Sequence, residues 1–387
     1  MAIGAGTVTL ADYALMSNSP LIQAVSMSLI DYGNILQDVQ LATKQSLIAN
    51  GTRFEGNLPT INWRPLNAEG VSVHAQPTPY QEQVYLMTNY VDVDKYIVQD
   101  QNQITDPRAT QTAIVLKALT YDINYKYFKN DHVTGDVNAP IGLRARIDDA
   151  ASANKFGVRP ENKIDAGGAA ADISQAGVTA KTGAAFFEML DLLLWSVDSP
   201  DGSGVVLYMN DYVKRRINSV IKFMGTSGGF DTTRDQFERS IATYKNAVIR
   251  DPGLKADQTT RIIAGNAIAA GSGSVGETAA GVDSTGASAN FTSIYAVNHG
   301  TDHFFGWQFN PFNVEDLGLI NNGVIYRTLI DWAVGFMNVS TRSIGRLYDI
   351  KIGPSRWPCS LKSLPSCARR LRKSRNLMYA LAACLKC

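Results

Sequence analysis

Between Arg53 and Asp100 the chain adopts a pattern that few folds accommodate. Arg53, Phe54, Leu58, Ile61 and Trp63 precede a turn-rich run containing Pro65, Asn67, Gly70, Pro77 and Pro79, and Val84-Tyr-Leu-Met answers on the far side. Val91-Asp-Val-Asp-Lys-Tyr-Ile-Val then begins with the apolar–polar alternation of a half-buried strand. The spacing predicts two extended limbs joined as a long hairpin. Such a hairpin has little core of its own and is marginal in water. It must therefore lie on something else. Composition points the same way: only 18% of residues are charged, below the usual quarter, as expected of a surface largely covered by other protein.

Upstream, Leu21, Val25, Leu29, Ile35, Leu36, Val39 and Leu47 have a roughly helical spacing interrupted at Gly33, which predicts an amphipathic N-terminal arm. Downstream, Asp106-Pro107 is a helix start, a capping side chain followed by Pro in the first turn. No Gly or further Pro follows before Asn130. Ile114, Ala118, Tyr121, Tyr125 and Phe128 form one apolar stripe, and Leu116, Leu119, Ile123 and Tyr127 a second. A helix apolar on two sides is expected to be covered on both.

Residues 142–177 are loop-rich without an obvious period. Gly183 to Trp195 reads as a helix, Val205 to Met209 as a short buried strand, and Asn210-Asp211 as the cap of a helix reaching about Phe223. Two short strands flank Asn298-His-Gly, and Val324 to Val339 is a longer strand rich in aromatic and branched residues. This mixture predicts an α/β or α+β domain. No apolar run has the length a membrane helix needs, and Met1 to Leu15 lacks the basic start and apolar centre of a secretory signal.

The net charge of +1 over 387 residues hides an asymmetry. Nine of the 36 Lys and Arg residues, and no Asp or Glu, lie between Lys351 and Cys387, leaving 27 basic against 35 acidic residues in 1–350, a body at −8. All four cysteines (Cys359, Cys367, Cys384 and Cys387) share that tail. A cysteine-free body suits a reducing cytoplasm without a disulfide framework.

Candidate chemistry is sparse. Gly271-Ser-Gly-Ser-Val-Gly276 matches the letters of a dinucleotide fingerprint, but the Gly/Ala/Ser/Thr-rich run of 264–290 supplies neither the feeding strand nor the following helix. His299 and His303, with Asp302, have the spacing of zinc ligands on a helix. Gly300 and the strand-like flanks instead predict a polar hairpin turn. His74 and His132 are isolated, and Asp92/Asp94 and Asp148-Asp149 read as solvated acidic faces. Cys384-x-x-Cys387 lacks a second pair at zinc-finger spacing, while Arg369-Arg-Leu-Arg-Lys-Ser-Arg375 is a basic cluster suited to polyanions. No nucleophile stands out. The expectation is a non-enzyme with no catalytic residue, cofactor or metal site.

The order of parts resembles that of tailed-phage major capsid proteins with the HK97-type fold. Residues 20–100 resemble an N-arm and extended E-loop, 106–130 the spine helix of a peripheral P domain, and 186–316 an axial A domain. The close is similar too: Ser293-Ile-Tyr-Ala-Val-Asn-His-Gly, Phe305-Gly-Trp, Tyr326-Arg-Thr-Leu-Ile-Asp-Trp-Ala-Val-Gly-Phe and Ser343-Ile-Gly-Arg-Leu-Tyr-Asp-Ile350, a hairpin in the A domain, a long P-domain strand and a short Arg-Leu segment.

The resemblance implies an α+β capsid fold divided as N-arm 1–50, E-loop 51–95, P domain 96–180 with 321–350, A domain 181–320, and a basic tail 351–387. It implies a subunit that forms hexamers and pentamers of an icosahedral head shell around double-stranded DNA, assembled in the host bacterial cytoplasm without a membrane. A portal, a decoration protein and a separate scaffolding protein are the further partners it implies. An encapsulin-like shell around cargo enzymes keeps the fold and changes the biology; an enzyme using the Gly-rich loop and the His pair is the reading from another class. Two readings of the tail stay open, a DNA-contacting extension and an altered reading frame. Some relatives weld subunits through an E-loop lysine; Gly51 to Asp94 contains no lysine, and the guanidinium of Arg53 or Arg64 is no substitute nucleophile, so a non-covalent shell is expected.

Overall fold

The computed structural model describes residues 35–352, except 54–58, 75–76, 100–105, 134, 149–155, 169, 175–177, 225–229, 235–239, 265–275, 278–282, 285–290 and 321–322. The first half contains β1 (Leu41–Thr43), β2 (Ile48–Arg53), β3 (Thr78–Gln83), β4 (Tyr85–Asp94), α1 (Lys95–Gln99), α2 (Pro107–Lys129), α3 (Leu143–Asp148), β5 (Lys163–Gly168) and α4 (Ala180–Ser196). There follow β6 (Val205–Tyr208), α5 (Asp211–Met224), β7 (Phe230–Arg234), β8 (Ser240–Tyr244), β9 (Ala247–Arg250), β10 (Gly276–Glu277) and β11 (Asp283–Ser284). The last are β12 (Phe291–Asn298), β13 (Phe304–Gln308), β14 (Asn313–Ile320), β15 (Ile325–Asn338) and β16 (Ile344–Lys351).

Local signals explain the long elements. Asp106 caps α2, its carboxylate accepting from the Arg108 N–H at 2.9 Å, with Pro107 in the first turn. Thr179 and Thr182 close a reciprocal capping box at the start of α4. The expected helix over 183–195, the strand at 205–209 and the helix after Asn210 all form.

Two sheets organise the body. In one, β15 pairs with β13 and β14 along one edge and with β4 along the other, and β1 adds in parallel to β13. The other runs β5-β16-β12-β6-β9-β8-β7. Each sheet draws on segments from both sides of residue 320. The first packs on α2, with Leu116, Leu119, Ile123, Tyr127 and Phe128 against Val93, Ile330, Trp332 and Phe336. The second packs on α4 and α5, with Phe186, Leu190, Leu193, Val213 and Ile217 joining Leu207, Ile294 and Leu347.

Four expectations are corrected. The described end of the N-terminal arm is a turn and the strand β1, because residues 41–43 complete the edge of β13; 20–34 lie outside the described residues. Residues 142–177 hold α3 and β5, whose Leu143, Ile147, Ile164 and Ala166 enter the two cores beside the ion pairs of Arg146 and Lys163. The strand-like run from Val91 ends at Asp94, whose carboxylate accepts from the Tyr96 N–H at 2.8 Å and starts α1. Of the two stripes on α2, the second is covered throughout by the described residues, whereas in the first Phe128 is buried but Ile114 remains 56% exposed and Ala118 is exposed.

Candidate assembly interface

The hairpin forms, with its pairing starting at Ile48: β2 and β3 run antiparallel from Ile48↔Gln83 to Arg53↔Thr78. Gly51 sits opposite Tyr80, and a Cβ at that glycine would stand 2.5 Å from the Tyr80 ring. Only glycine lets the ring lie there. The Arg53 guanidinium covers the ring at 3.8 Å from its centroid and donates to the Asn338 carbonyl. Ala49 and Tyr80 join Phe305, Trp307 and Met337 in a small core of their own. The hairpin base is thus seated on the body.

Its strongest tie is ionic. Arg146 of α3, 1% exposed, forms a two-point pair with Glu82 of β3, 9% exposed, at 2.6 and 3.1 Å. The same guanidinium donates to the carbonyls of Phe336 and Ile141, each at 3.1 Å, and lies over the rings of Phe156 and Phe304. This satisfaction of donors is what makes a buried charge tolerable. Asp148, two residues on, pairs with Arg346 at 3.1 Å and Lys163 at 2.9 Å. One turn of helix therefore ties the hairpin to both sheets.

Beyond the base, residues 59–74 turn apolar side chains to solvent: Trp63 is 95% exposed, Leu66 90%, Val71 70% and Ile61 69%. Scattered exposed apolar residues are ordinary, but four large ones on one projecting loop mark a contact surface. A second exposed group, Tyr90, Tyr96, Ile97, Leu317, Leu319 and Val324, is spread over β4, α1, β14 and the start of β15, with β4 and β14 on opposite edges of β15. Tyr85, expected to belong to the projecting hairpin, instead pairs with Val334 and packs edge-on against His132. It is part of the body.

The predicted polar residues are dispersed. Asp92 is held two-pointed by Arg327 at 2.7 and 2.6 Å, and Asp148 is an ion-pair hub; neither is a freely solvated carboxylate. His74 is exposed, and His132 Nε2 lies 2.8 Å from the Ala139 carbonyl oxygen. The expected hairpin turn at His299 to His303 is a crossover. β12 belongs to the seven-stranded sheet and β13 to the other, because each finds its partners elsewhere. Among the described residues no group of three or more His, Cys, Asp or Glu could hold a metal. Of the Gly-rich run 264–290, residues 265–275, 278–282 and 285–290 lie outside the described residues, as does the tail from 353.

Sequence reasoning also missed a buried cluster behind the crossover. Asp38 accepts from Arg250 Nε at 2.9 Å and from the Tyr208 hydroxyl at 3.2 Å, and that hydroxyl lies 3.1 Å from His299 Nε2. Burial pushes Asp38 up to about 6 despite Arg250, and burial with Arg250 pushes His299 down to about 3. The signs oppose. Asp38 titrates above its ordinary 3.8, so its contribution to stability is full at low pH and is lost as pH rises to 6. His299 titrates below its ordinary 6.5, so its contribution is full above 6.5 and is lost as pH falls toward 3. Between pH 4 and 6 they offset. Relative to the parent, Asp38→Asn is expected to gain stability with rising pH across that window, and His299→Gln to lose it. Calorimetric melts at pH 4, 5 and 6 check this; parallel curves for all three proteins would overturn it.

A scan of protein-family models and a search of curated proteins each found no match. Solved structures do match. The SrpI encapsulin of Synechococcus elongatus superposes with a TM-score of 0.51 at 10% identity, covering 89% of this chain and 98% of that one. The capsid of the native GTA particle gives 0.50 at 10% identity, covering 82% and 90%, and that of the empty particle gives 0.50 at 9% with the same coverage. The chain has the α+β HK97-type capsid fold.

Proposed function

We propose that this chain is a structural subunit that self-assembles into a closed icosahedral shell through hexamers and pentamers. The observation that carries the proposal is the hairpin: a base held by buried ionic and aromatic contacts, and a distal loop whose large apolar side chains have no cover among the described residues. Burying such a loop on another subunit removes its apolar surface from water. No catalysis is part of the role.

Within the shell class we favour the head shell of a tailed bacteriophage, which would enclose double-stranded DNA and assemble in the host cytoplasm with a portal and separate scaffolding or decoration proteins. The order of the N-arm, E-loop, spine helix and closing strands supports that reading. The SrpI encapsulin likeness, with 98% of that chain covered, supports the second reading, a shell around cargo enzymes. Electron microscopy of the purified protein, with assay of the particle contents, separates them. DNA-filled heads with a portal vertex support the phage reading, and small shells with protein cargo support the encapsulin reading. Monomers under all assembly conditions would reject both.

With no lysine between Gly51 and Asp94, mature particles boiled in detergent are expected to run as a single monomer band on a denaturing gel. A ladder of covalent pentamers and hexamers would overturn this and implicate Lys95, at the start of α1.

A further inference from the structure

Residues 35–43 cross the body as a strap that touches both sheets. Ile35, Leu36, Val39 and Leu41 are buried in the core around α2. The strap starts in a turn, where the Asp38 and Val39 N–H groups both donate to the Ile35 carbonyl at 3.0 Å. β1 then lies in parallel on β13, and Gly306 makes room for it: a Cβ there would stand 2.6 Å from Leu41 and 3.0 Å from Val39. Polar ties to the other sheet run through Asp38, which accepts from Arg250 of β9 at 2.9 Å and from Tyr208 of β6 at 3.2 Å. Gln37 adds a longer contact, accepting from Arg250 at 3.4 Å.

We propose that this strap is a proton-controlled latch, gripping both sheets most firmly while Asp38 is protonated and opening more readily once Asp38 is ionised. A carboxylate at this buried site bears the cost of leaving water even with a counter-charge beside it, whereas the neutral acid escapes most of that cost and keeps an acceptor oxygen for Tyr208. Opening the strap returns Asp38 to water, where the charged form is solvated again. Burial holds Asp38 at about 6 in the closed strap, although Arg250 and the Tyr208 hydroxyl oppose it; in water it returns to its ordinary 3.8. The closed strap therefore keeps a proton that the open one has lost, and its grip weakens as pH rises through 6.

The groups facing Asp38 leave this dependence intact. Arg250 stays charged throughout. Burial, with the Asp38 charge nearby, holds the hydroxyls of Tyr208 and of Tyr127 on α2 well above 10. Arg146 of α3, whose charge also reaches Tyr127, is engaged by Glu82. His299 titrates in the opposite sense, but it lies on the crossover and not on the strap, with its ring against Tyr208 and Phe304. Those contacts persist when the strap lifts, so His299 weighs on unfolding of the whole body and leaves strap opening to Asp38. The latch belongs to the single subunit and stands apart from the shell reading.

Hydrogen exchange on the unassembled full chain at pH 4.5 and 7.0, corrected for the intrinsic pH dependence of amide exchange, reads strap opening. Protection of peptides covering 35–44 is expected to fall about 20-fold between those values. Peptides from β12 open only with the whole body and serve as the reference. Asp38→Asn is expected to abolish the step, and His299→Gln to leave it in place. Arg250→Gln removes the counter-charge and should move the midpoint to higher pH, which gives a second reading where Asp38→Asn does not fold. Equal protection of the parent strap at both pH values would overturn the proposal, as would a strap that exchanges at the β12 rate. So would an Asp38→Asn strap that keeps the step, a His299→Gln strap that loses it, or a midpoint that Arg250→Gln leaves unmoved.

Discussion

Replacing Arg146 with Met is expected to lower folding stability by about 3–5 kcal/mol, the cost of breaking a buried ion pair from one side. Glu82 would then remain 9% exposed with its partner gone, and the Phe336 and Ile141 carbonyls would lose a donor. Desolvated carboxylate without a counter-charge is the reason for the size of the effect. Glu82→Met removes the opposite partner and should cost a similar amount. The double variant should recover much of the loss, because two apolar side chains leave no buried charge behind. Chemical denaturation of the three variants reads these values. A single-variant cost below about 1 kcal/mol, the range of exposed pairs, would show that the pair does not anchor the hairpin.

Trp63→Asp is expected to abolish shell formation while leaving the melting of the unassembled subunit unchanged. Trp63 is 95% exposed in the single chain, so among the described residues the fold places little against it that the change can disturb. In the proposed shell a neighbour covers it, and every subunit would bury an unpaired carboxylate at that contact, at a cost of several kcal/mol each. Size-exclusion chromatography and electron microscopy report the shell, and circular dichroism reports the melt. Equal loss of assembly and melting temperature would place Trp63 in the subunit core. Normal shells would remove the loop from the interface.

These two predictions fall on residues of unequal legibility. Trp63 stood out because it lies on an extended limb with little core of its own, and it is 95% exposed in the single chain. Glu82 reads as one polar residue in a Gln-Glu-Gln run and Arg146 as one of two arginines on a short segment, 64 residues apart. Nothing local announces their pairing. The same holds for Asp38, joined to Tyr208 across 170 residues and to Arg250 across 212.

The two stripes on α2 show where local pattern stops. Their spacing established a helix apolar on two sides, but only packing against β4 and β15 showed that Leu119 and Ile123 face the core while Ala118 faces outward. At the crossover, the strands beside His299 were readable as strands, yet their membership of different sheets was not. Caps, turn residues and side-chain periods act within a few residues of one another, so residue order alone established the elements and the hairpin's need for external cover. Strand partners and buried charge pairs arise where distant segments meet. They are set by the free energy of the whole chain, in which a polar group is buried only when the fold brings it a partner.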